Sequence, residues 1–255
     1  VKVRYMYRAI IIGASSGIGY ALAEQLLLYG VKIGVAARRT DRLQLLVEKY
    51  GVERVVVKYM DVTSNDATTA LHELIGEIGA PDLLLYASGI GKQNPELDED
   101  IEINTVRTNC EGMVRIVDSF INYVKRESLY TKSHKAHIAV ISSMAGTMGM
   151  GSAPAYSATK SMQSCYLTAL SQYFRMYDVN CTVSDIRPGF VATDILNPEK
   201  HYPMLMSREV AVKHILRGLK HHRRVIIFDW RFRLLYRLWR IIPRVLWERM
   251  TIVKN

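Results

Sequence analysis

The chain has 255 residues, 49% of them apolar, and a formal net charge of +10. Its length and apolar content suit one large core, and no uncharged apolar run approaches the ~18 residues that a bilayer-spanning helix needs. Three scattered cysteines (Cys110, Cys165, Cys181) lack metal-type spacing and suit reduced thiols in a cytoplasmic compartment, so no metal site is expected. The basic start, Val1 to Arg8, leads within a few residues into a glycine loop and does not resemble a cleavable signal.

Ala9 to Ile12 is a short apolar run that ends in Gly13, Ala14, Ser15, Ser16, Gly17, Ile18 and Gly19. A helical pattern follows at once, with Ala21, Leu22, Leu26 and Tyr29 at intervals of three to four and a stop at Gly30. Strand, glycine turn and helix form the context a phosphate-binding loop requires. Glycines let the backbone approach a pyrophosphate, and the first amides of the helix attract its charge. The second strand, Lys32 to Ala37, ends in Arg38 and Arg39. An acid there would hold the ribose hydroxyls of NAD, whereas arginine accommodates the 2'-phosphate of NADP. NADP(H) is therefore favoured over NAD(H), with Arg38 the nearer contact and Arg39 the weaker; the alternative is a solvated basic turn.

The alternation continues with a helix from about Asp41 to Tyr50, a strand from Val55 to Tyr59, a helix over Asp66 to Ile78 and a strand over Asp82 to Tyr86. This pitch predicts a parallel, doubly wound α/β sheet with helices on both faces and its ligand beyond the carboxyl ends of the strands. Asp61, Val62 and Gly89 fall at those ends. Asp61 either accepts from an adenine amino group or caps a turn.

A long helical stretch from about Asp98 to Glu127 carries Asn109, a mediocre helix former whose side chain can open a local bend that holds a water. Ile138 to Ile141 reads as a buried strand closed by Ser143. Thirteen residues after Ser143 comes Tyr156, and Lys160 lies one helical turn further on. Positions four apart share a helix face, so phenol and ammonium project side by side. A free tyrosine titrates near ~10, and a fixed cation beside it lowers that value. The helix runs to about Tyr177; Cys181 to Ile186 is a further strand, ended by Pro188. Residues 194–207, with Pro198, Tyr202, Pro203, Met204 and Met206, suit a mobile substrate lid or a surface loop with partly buried methionines.

From Lys220 the composition changes. Residues 220–255 hold ten Lys or Arg against two acids, a net +8, and all three tryptophans. On a helical projection Arg233, Arg237, Arg240 and Arg244 form one stripe, opposite a broad face of Leu234, Leu235, Leu238, Ile241, Ile242, Val245 and Leu246. Pro243 interrupts it. The pattern suits an anionic membrane interface, giving peripheral membrane association, and equally suits packing on the parent domain or on a second subunit. Nucleic acid is not needed to account for it.

Gly13 to Gly19, Asp61-Val62, Asn109-Cys-Glu-Gly112, Ser142-Ser143 with Ala145-Gly146, Tyr156 to Lys160, and Pro188-Gly189-Phe190-Val191-Ala192-Thr193 stand in the order and near the separations of a known family. Over residues 8–228 the chain resembles a short-chain dehydrogenase/reductase of the NADP-preferring branch. The resemblance implies a Rossmann-like catalytic domain over 1–228, with 229–255 a basic amphipathic extension, and interconversion of a carbonyl and an alcohol on an apolar small molecule, in the reductive direction. It implies Tyr156 as general acid, Ser143 rather than Ser142 holding the substrate oxygen, Lys160 lowering the Tyr156 pKa and binding the nicotinamide ribose, and Asn109 anchoring a relay water. It places Gly13, Ser15, Ser16, Gly17, Ile18 and Gly19 at the pyrophosphate. The cofactor contacts continue through Pro188, Gly189, Val191 and Thr193, the last at the nicotinamide carboxamide. A homodimer or homotetramer follows from a four-helix contact through the Asn109 and Tyr156 helices. One departure is clear: the family's Asn-Asn-Ala-Gly is here Tyr86-Ala87-Ser88-Gly89, so that turn must be braced from elsewhere. The rival reading is a non-catalytic NADP-binding module.

Overall fold

The structure, a computed structural model, describes residues 7–193 and 202–250. Its first half alternates strand and helix: β1 (Arg8–Ile12), α1 (Gly17–Leu28), β2 (Lys32–Ala37), α2 (Thr40–Tyr50), β3 (Val55–Tyr59), α3 (Ala67–Ile78) and β4 (Leu83–Tyr86). There follow α4 (Glu99–Val106), a π turn (Arg107–Glu111), α5 (Gly112–Arg126), β5 (Ala136–Ile141), a 3-10 turn (Met144–Thr147), α6 (Pro154–Met176) and β6 (Cys181–Ile186). The chain closes with α7 (Arg208–Lys220), β7 (Val225–Ile226), α8 (Trp230–Ile241) and α9 (Arg244–Arg249). The expected doubly wound sheet is present, and α7 and β7 are added to the elements legible in the sequence. A two-residue strand has no periodicity to read.

All seven strands are parallel, in the order β3-β2-β1-β4-β5-β6-β7. Strand order reverses between β1 and β4, where Ile10 pairs with Leu84 and Ile12 with Tyr86. The crevice beyond this switch point is where such sheets take their ligands. Because side chains alternate across a strand, Ile10 and Ile12 face α3 and α5, while Ala9 and Ile11 face α1 and α7. Both faces are thus buried, which accounts for the near-continuous apolar runs of β1 and β4.

The stretch expected as one helix over 98–127 is two helices joined by the π turn at Asn109. Asp98 caps its start, accepting from the amides of Asp100 (2.9 Å) and Ile101 (3.3 Å). Gly112 begins α5 with no room for a side chain: a Cβ would stand 2.7 Å from Val62 Cγ2 and 3.0 Å from the Tyr86 hydroxyl. Tyr86 is buried and donates to Thr108 O at 2.7 Å, so it cannot move aside freely. Gly112→Ala should therefore lower stability by about 1–3 kcal/mol through overpacking, against a helix-propensity gain of up to ~1 kcal/mol. Urea unfolding checks this. Adding Val62→Ala should recover part of the loss, and additive losses would show that the contact is not its origin.

Candidate active site

The carboxyl end of the sheet gathers the glycine loop, the turn after β4, the π turn, the β5–α6 loop and the first turns of α6. Gly13 (φ 87°) packs its bare Cα against Ser88, where a Cβ would lie 2.4 Å from the Ser88 amide nitrogen. Gly19 is as tight, with a virtual Cβ 2.3 Å from Gly13 O. The α1 N-cap, Ser16, is extended and makes no side-chain cap bond, and no acid occupies the first turn. The leading amides at Gly17, Ile18 and Gly19 are therefore available to an anion, which fits a dinucleotide pyrophosphate. Across the loop, the Thr193 methyl lies 3.5 Å from where a Gly17 Cβ would be.

Arg39 Nη2 donates to Ser16 Oγ at 2.9 Å and Ser15 Oγ at 3.3 Å. Arg39 thus turns back over the glycine loop, while Arg38 acts on Asp61 through its charge. Burial works to raise the Asp61 pKa, but hydrogen bonds from the Thr63 amide and hydroxyl, with Arg38 nearby, outweigh it and bring it down. Asp61 Oδ1 accepts from Thr63 N at 3.0 Å and Thr63 Oγ1 at 2.7 Å, so this carboxylate caps its turn. Val62 is buried against Gly112.

Lys160 is almost wholly buried and donates to Ile141 O (2.9 Å) and Gln163 Oε1 (3.1 Å). Burial drives its pKa down to about 8, with Cys110 and Asp185 opposing. Its Nζ lies 5.7 Å from the Tyr156 ring centroid. Burial raises the Tyr156 pKa, and a hydrogen bond with Ser143 pulls the other way. The expected lowering of the phenol by its neighbouring cation is not what this geometry produces, because the ammonium is turned to the Ile141 carbonyl and the Gln163 amide. Gly91 closes over the tyrosine; a Cβ there would meet the ring at 2.4 Å.

The two serines differ in their surroundings. Ser142 Oγ is buried and donates to Asp185 Oδ1, with Ile186 O also at 3.1 Å. Ser143 Oγ accepts from the Ala145 amide at 3.1 Å and faces Tyr156.

Asn109 answers the question of how the altered turn after β4 is braced. Its Oδ1 accepts from Ile90 N (2.9 Å), and its Nδ2 donates to Ile90 O (2.8 Å) and Thr159 Oγ1 (3.0 Å). Gly89 sits between these groups, 3.3 Å and 3.4 Å from Lys160 Nζ and Asn109 Oδ1 measured from a virtual Cβ. The Asn109 carbonyl, on the π turn, accepts from Gln163 Nε2 at 2.8 Å. Gln163 was not among the expected site residues. Its signal was the spacing: it stands three residues after Lys160, on the same face of α6.

Pro188 O accepts from Met144 N at 2.9 Å, tying the end of β6 to the loop between β5 and α6. Gly189 makes room for the Phe232 ring, which a Cβ would strike at 2.2 Å, so the tail helix makes the close approach there. Val191 is buried and bridges to Met206. Within the expected lid, residues 194–201 lie outside the described residues; the Tyr202 ring packs against Phe190, centroids 5.0 Å apart and planes tilted by 42°. Among the described residues no cluster of His, Cys, Asp or Glu is placed to hold a metal ion.

Residues 7–202 match the family model described as short chain dehydrogenase. An uncharacterized oxidoreductase from Myxococcus xanthus is 29% identical over 94% of this chain and 94% of its own length. A short-chain dehydrogenase/reductase from Burkholderia phymatum, solved in complex with NAD, superposes with a TM-score of 0.78 at 20% identity, covering 91% of this chain and 92% of that one. The closed form of a serine dehydrogenase complexed with NADP+ gives 0.71 at 22% identity, covering 84% of this chain and 90% of that one. These structural likenesses concern the fold, and the two solved complexes hold different nucleotides. With the matched segment running from β1 to beyond the Pro188-Gly189 turn, this chain belongs to the short-chain dehydrogenase/reductase family of oxidoreductases.

Proposed function

We propose that the protein is an NADPH-dependent reductase of a carbonyl on an apolar small molecule. The observation that carries this reading is Tyr156, partly buried beside the Ser143 hydroxyl with the Lys160 ammonium behind it. Burial keeps the phenol protonated at neutral pH, the state a general acid needs, and this supports the reductive direction. When bound, the nicotinamide supplies a hydride to the carbonyl carbon. Ser143 holds the carbonyl oxygen by a hydrogen bond, and Tyr156 gives its proton to that oxygen as negative charge develops there. Lys160 supplies fixed positive charge beneath the phenol and helps hold the nicotinamide ribose. Gln163 and the Ile141 carbonyl orient the ammonium, and Asn109 holds the floor of the site at Ile90 and Gly89.

Two arginines and no acid at the end of β2, with Arg39 reaching Ser15 and Ser16, support NADP(H) over NAD(H). Three free thiols support a reducing, cytoplasmic setting. Among the described residues no helix is long and apolar enough to cross a membrane. The outer face of α6 exposes the small residues Ala158, Ser161, Cys165 and Ala169, which supports close helix packing with a second copy. Sedimentation velocity checks that point, and a monomer at micromolar concentration would end it.

Tyr156→Phe should keep the fold and nucleotide binding but lose roughly 10² to 10⁴ in turnover of NADPH with any accepted ketone. Near-normal turnover would remove Tyr156 from the role. Arg38→Asp with Arg39→Asp should weaken NADPH by about tenfold or more, since charge-assisted hydrogen bonds are each worth ~1.5–3 kcal/mol, while sparing NADH. Equal losses for both nucleotides would show that these arginines do not discriminate.

The pH profile tests the lysine. Lys160 is charged below its pKa of about 8 and loses its proton above it, so reductive kcat/KM should fall as pH rises through that range. Gln163→Glu places a carboxylate beside the ammonium, which favours the charged form and should move the falling limb upward. An unmoved limb in that variant would separate Gln163 from Lys160.

A further inference from the structure

The tail helix α8 does not sit as its sequence projection suggests. Its inward side is aromatic: Phe232 is buried against Gly189, Tyr236 receives the Arg187 guanidinium at 5.1 Å, and Trp239 meets Trp247 at 5.4 Å. Trp247 in turn donates its indole N–H to Gly149 O at 2.6 Å, so α9 is fastened to the loop between β5 and α6. With the aromatic side used for packing, Leu235 is half-buried and Leu234 and Leu238 face outward. Trp230 (67% exposed), Leu234 (50%), Leu238 (47%) and Ile241 (75%) recur at three to four residues and form one continuous stripe. Arg233, Arg237 and Arg240 are exposed alongside it, and α9 adds exposed Arg244, Val245 and Leu246.

We propose that this surface docks on an anionic membrane and so presents the mouth of the active site to the bilayer. An apolar stripe of Trp, Leu and Ile edged by arginines matches the layering of an interface, with acyl chains under the stripe and phosphates at the guanidinium groups. The local net charge of +8 over residues 220–255 supplies the complementary sign. A second copy of this chain fits less well: a two-fold contact on the stripe would set Arg233, Arg237 and Arg240 against the same residues of the partner. The location gives docking a consequence for substrate. Phe232 lies 6.4 Å from Phe190, Phe190 lies 5.0 Å from Tyr202, and α8 also lies against the 3-10 turn that follows Ser143. A cleft of about 550 Å³ between α9 and the loop before α6 is walled by Met148, Trp247 and Met250, with Thr147, Arg244 and Glu248 as polar walls. An apolar carbonyl dissolved in the bilayer would therefore meet the site at its rim. That second statement rests on the reductase reading, whereas the docking does not.

Flotation of the full chain with phosphatidylcholine vesicles, with and without phosphatidylserine, tests the docking independently of catalysis. The protein should float only with phosphatidylserine and be released as salt rises, because exposed charges are screened within about 8 Å at physiological ionic strength. Leu234→Glu with Leu238→Glu, both on the exposed stripe, should reduce vesicle binding roughly hundredfold and leave turnover of a water-soluble ketone unchanged. Protein that stays in solution with phosphatidylserine vesicles at low salt overturns the proposal. So does a leucine variant that floats like the wild type, or one whose change is confined to oligomeric state. If flotation behaves as expected and no ketone is reduced, the docking stands and the reductase reading fails.

Discussion

A lysine ammonium cannot be withdrawn from water unless acceptors are already in place for it, and much of the site is arranged around that requirement at Lys160. One acceptor is the Ile141 carbonyl at the end of β5, one residue past the last β4–β5 pair. The other is the amide of Gln163, which is itself held by the Asn109 carbonyl. That carbonyl is open to a side chain because the chain takes a π turn there, freeing a backbone group that an uninterrupted helix would have used. The cation, the bend and the turn after β4 thus form one hydrogen-bonded unit. A fault in any member would leave a buried polar group unmatched.

Close backbone approach is the second constraint, and it locks the site's parts to one another. Gly146 lets the loop between β5 and α6 lie on the backbone of Lys160, with a virtual Cβ 2.5 Å from its carbonyl carbon. Gly91 and Gly13 do the same at the tyrosine and at Ser88. Only Gly13 needs the left-handed region; at Gly91 and Gly146 the demand is purely for space. Glycines that a motif would assign to a nucleotide therefore serve packing as well, and at Gly189 the neighbour is the tail.

The tail ties α8 to the end of β6 and to the 3-10 turn after Ser143. Arg187 is bound to the buried Asp185 at 2.7 Å and stacks on Tyr236, so the charge that neutralises Asp185 also anchors α8. Because Asp185 also receives Ser142 and acts on Lys160, the position of α8 and the electrostatics of the site share a residue. An amphipathic helix normally buries its most apolar side. Here aromatic rings take the inward positions, and the leucine stripe is left for another surface.

The order of strands and helices, the sheet class and the glycine loop were legible in the sequence because they depend on local periodicity and on residues with special backbone freedom. Cys181 to Ile186 and the helix after the glycine turn could be read this way; the two-residue β7 could not. The tertiary structure decided what crosses between distant segments. Gln163 meets Asn109 across 54 positions and Asn109 meets Thr159 across 50, so no window of sequence contains either bond. The same holds for Arg39 at the glycine loop and for which side of α8 turns inward. Periodicity states that a helix has two faces, but which face is buried depends on the shape awaiting it, here the bare Cα of Gly189 and the guanidinium of Arg187.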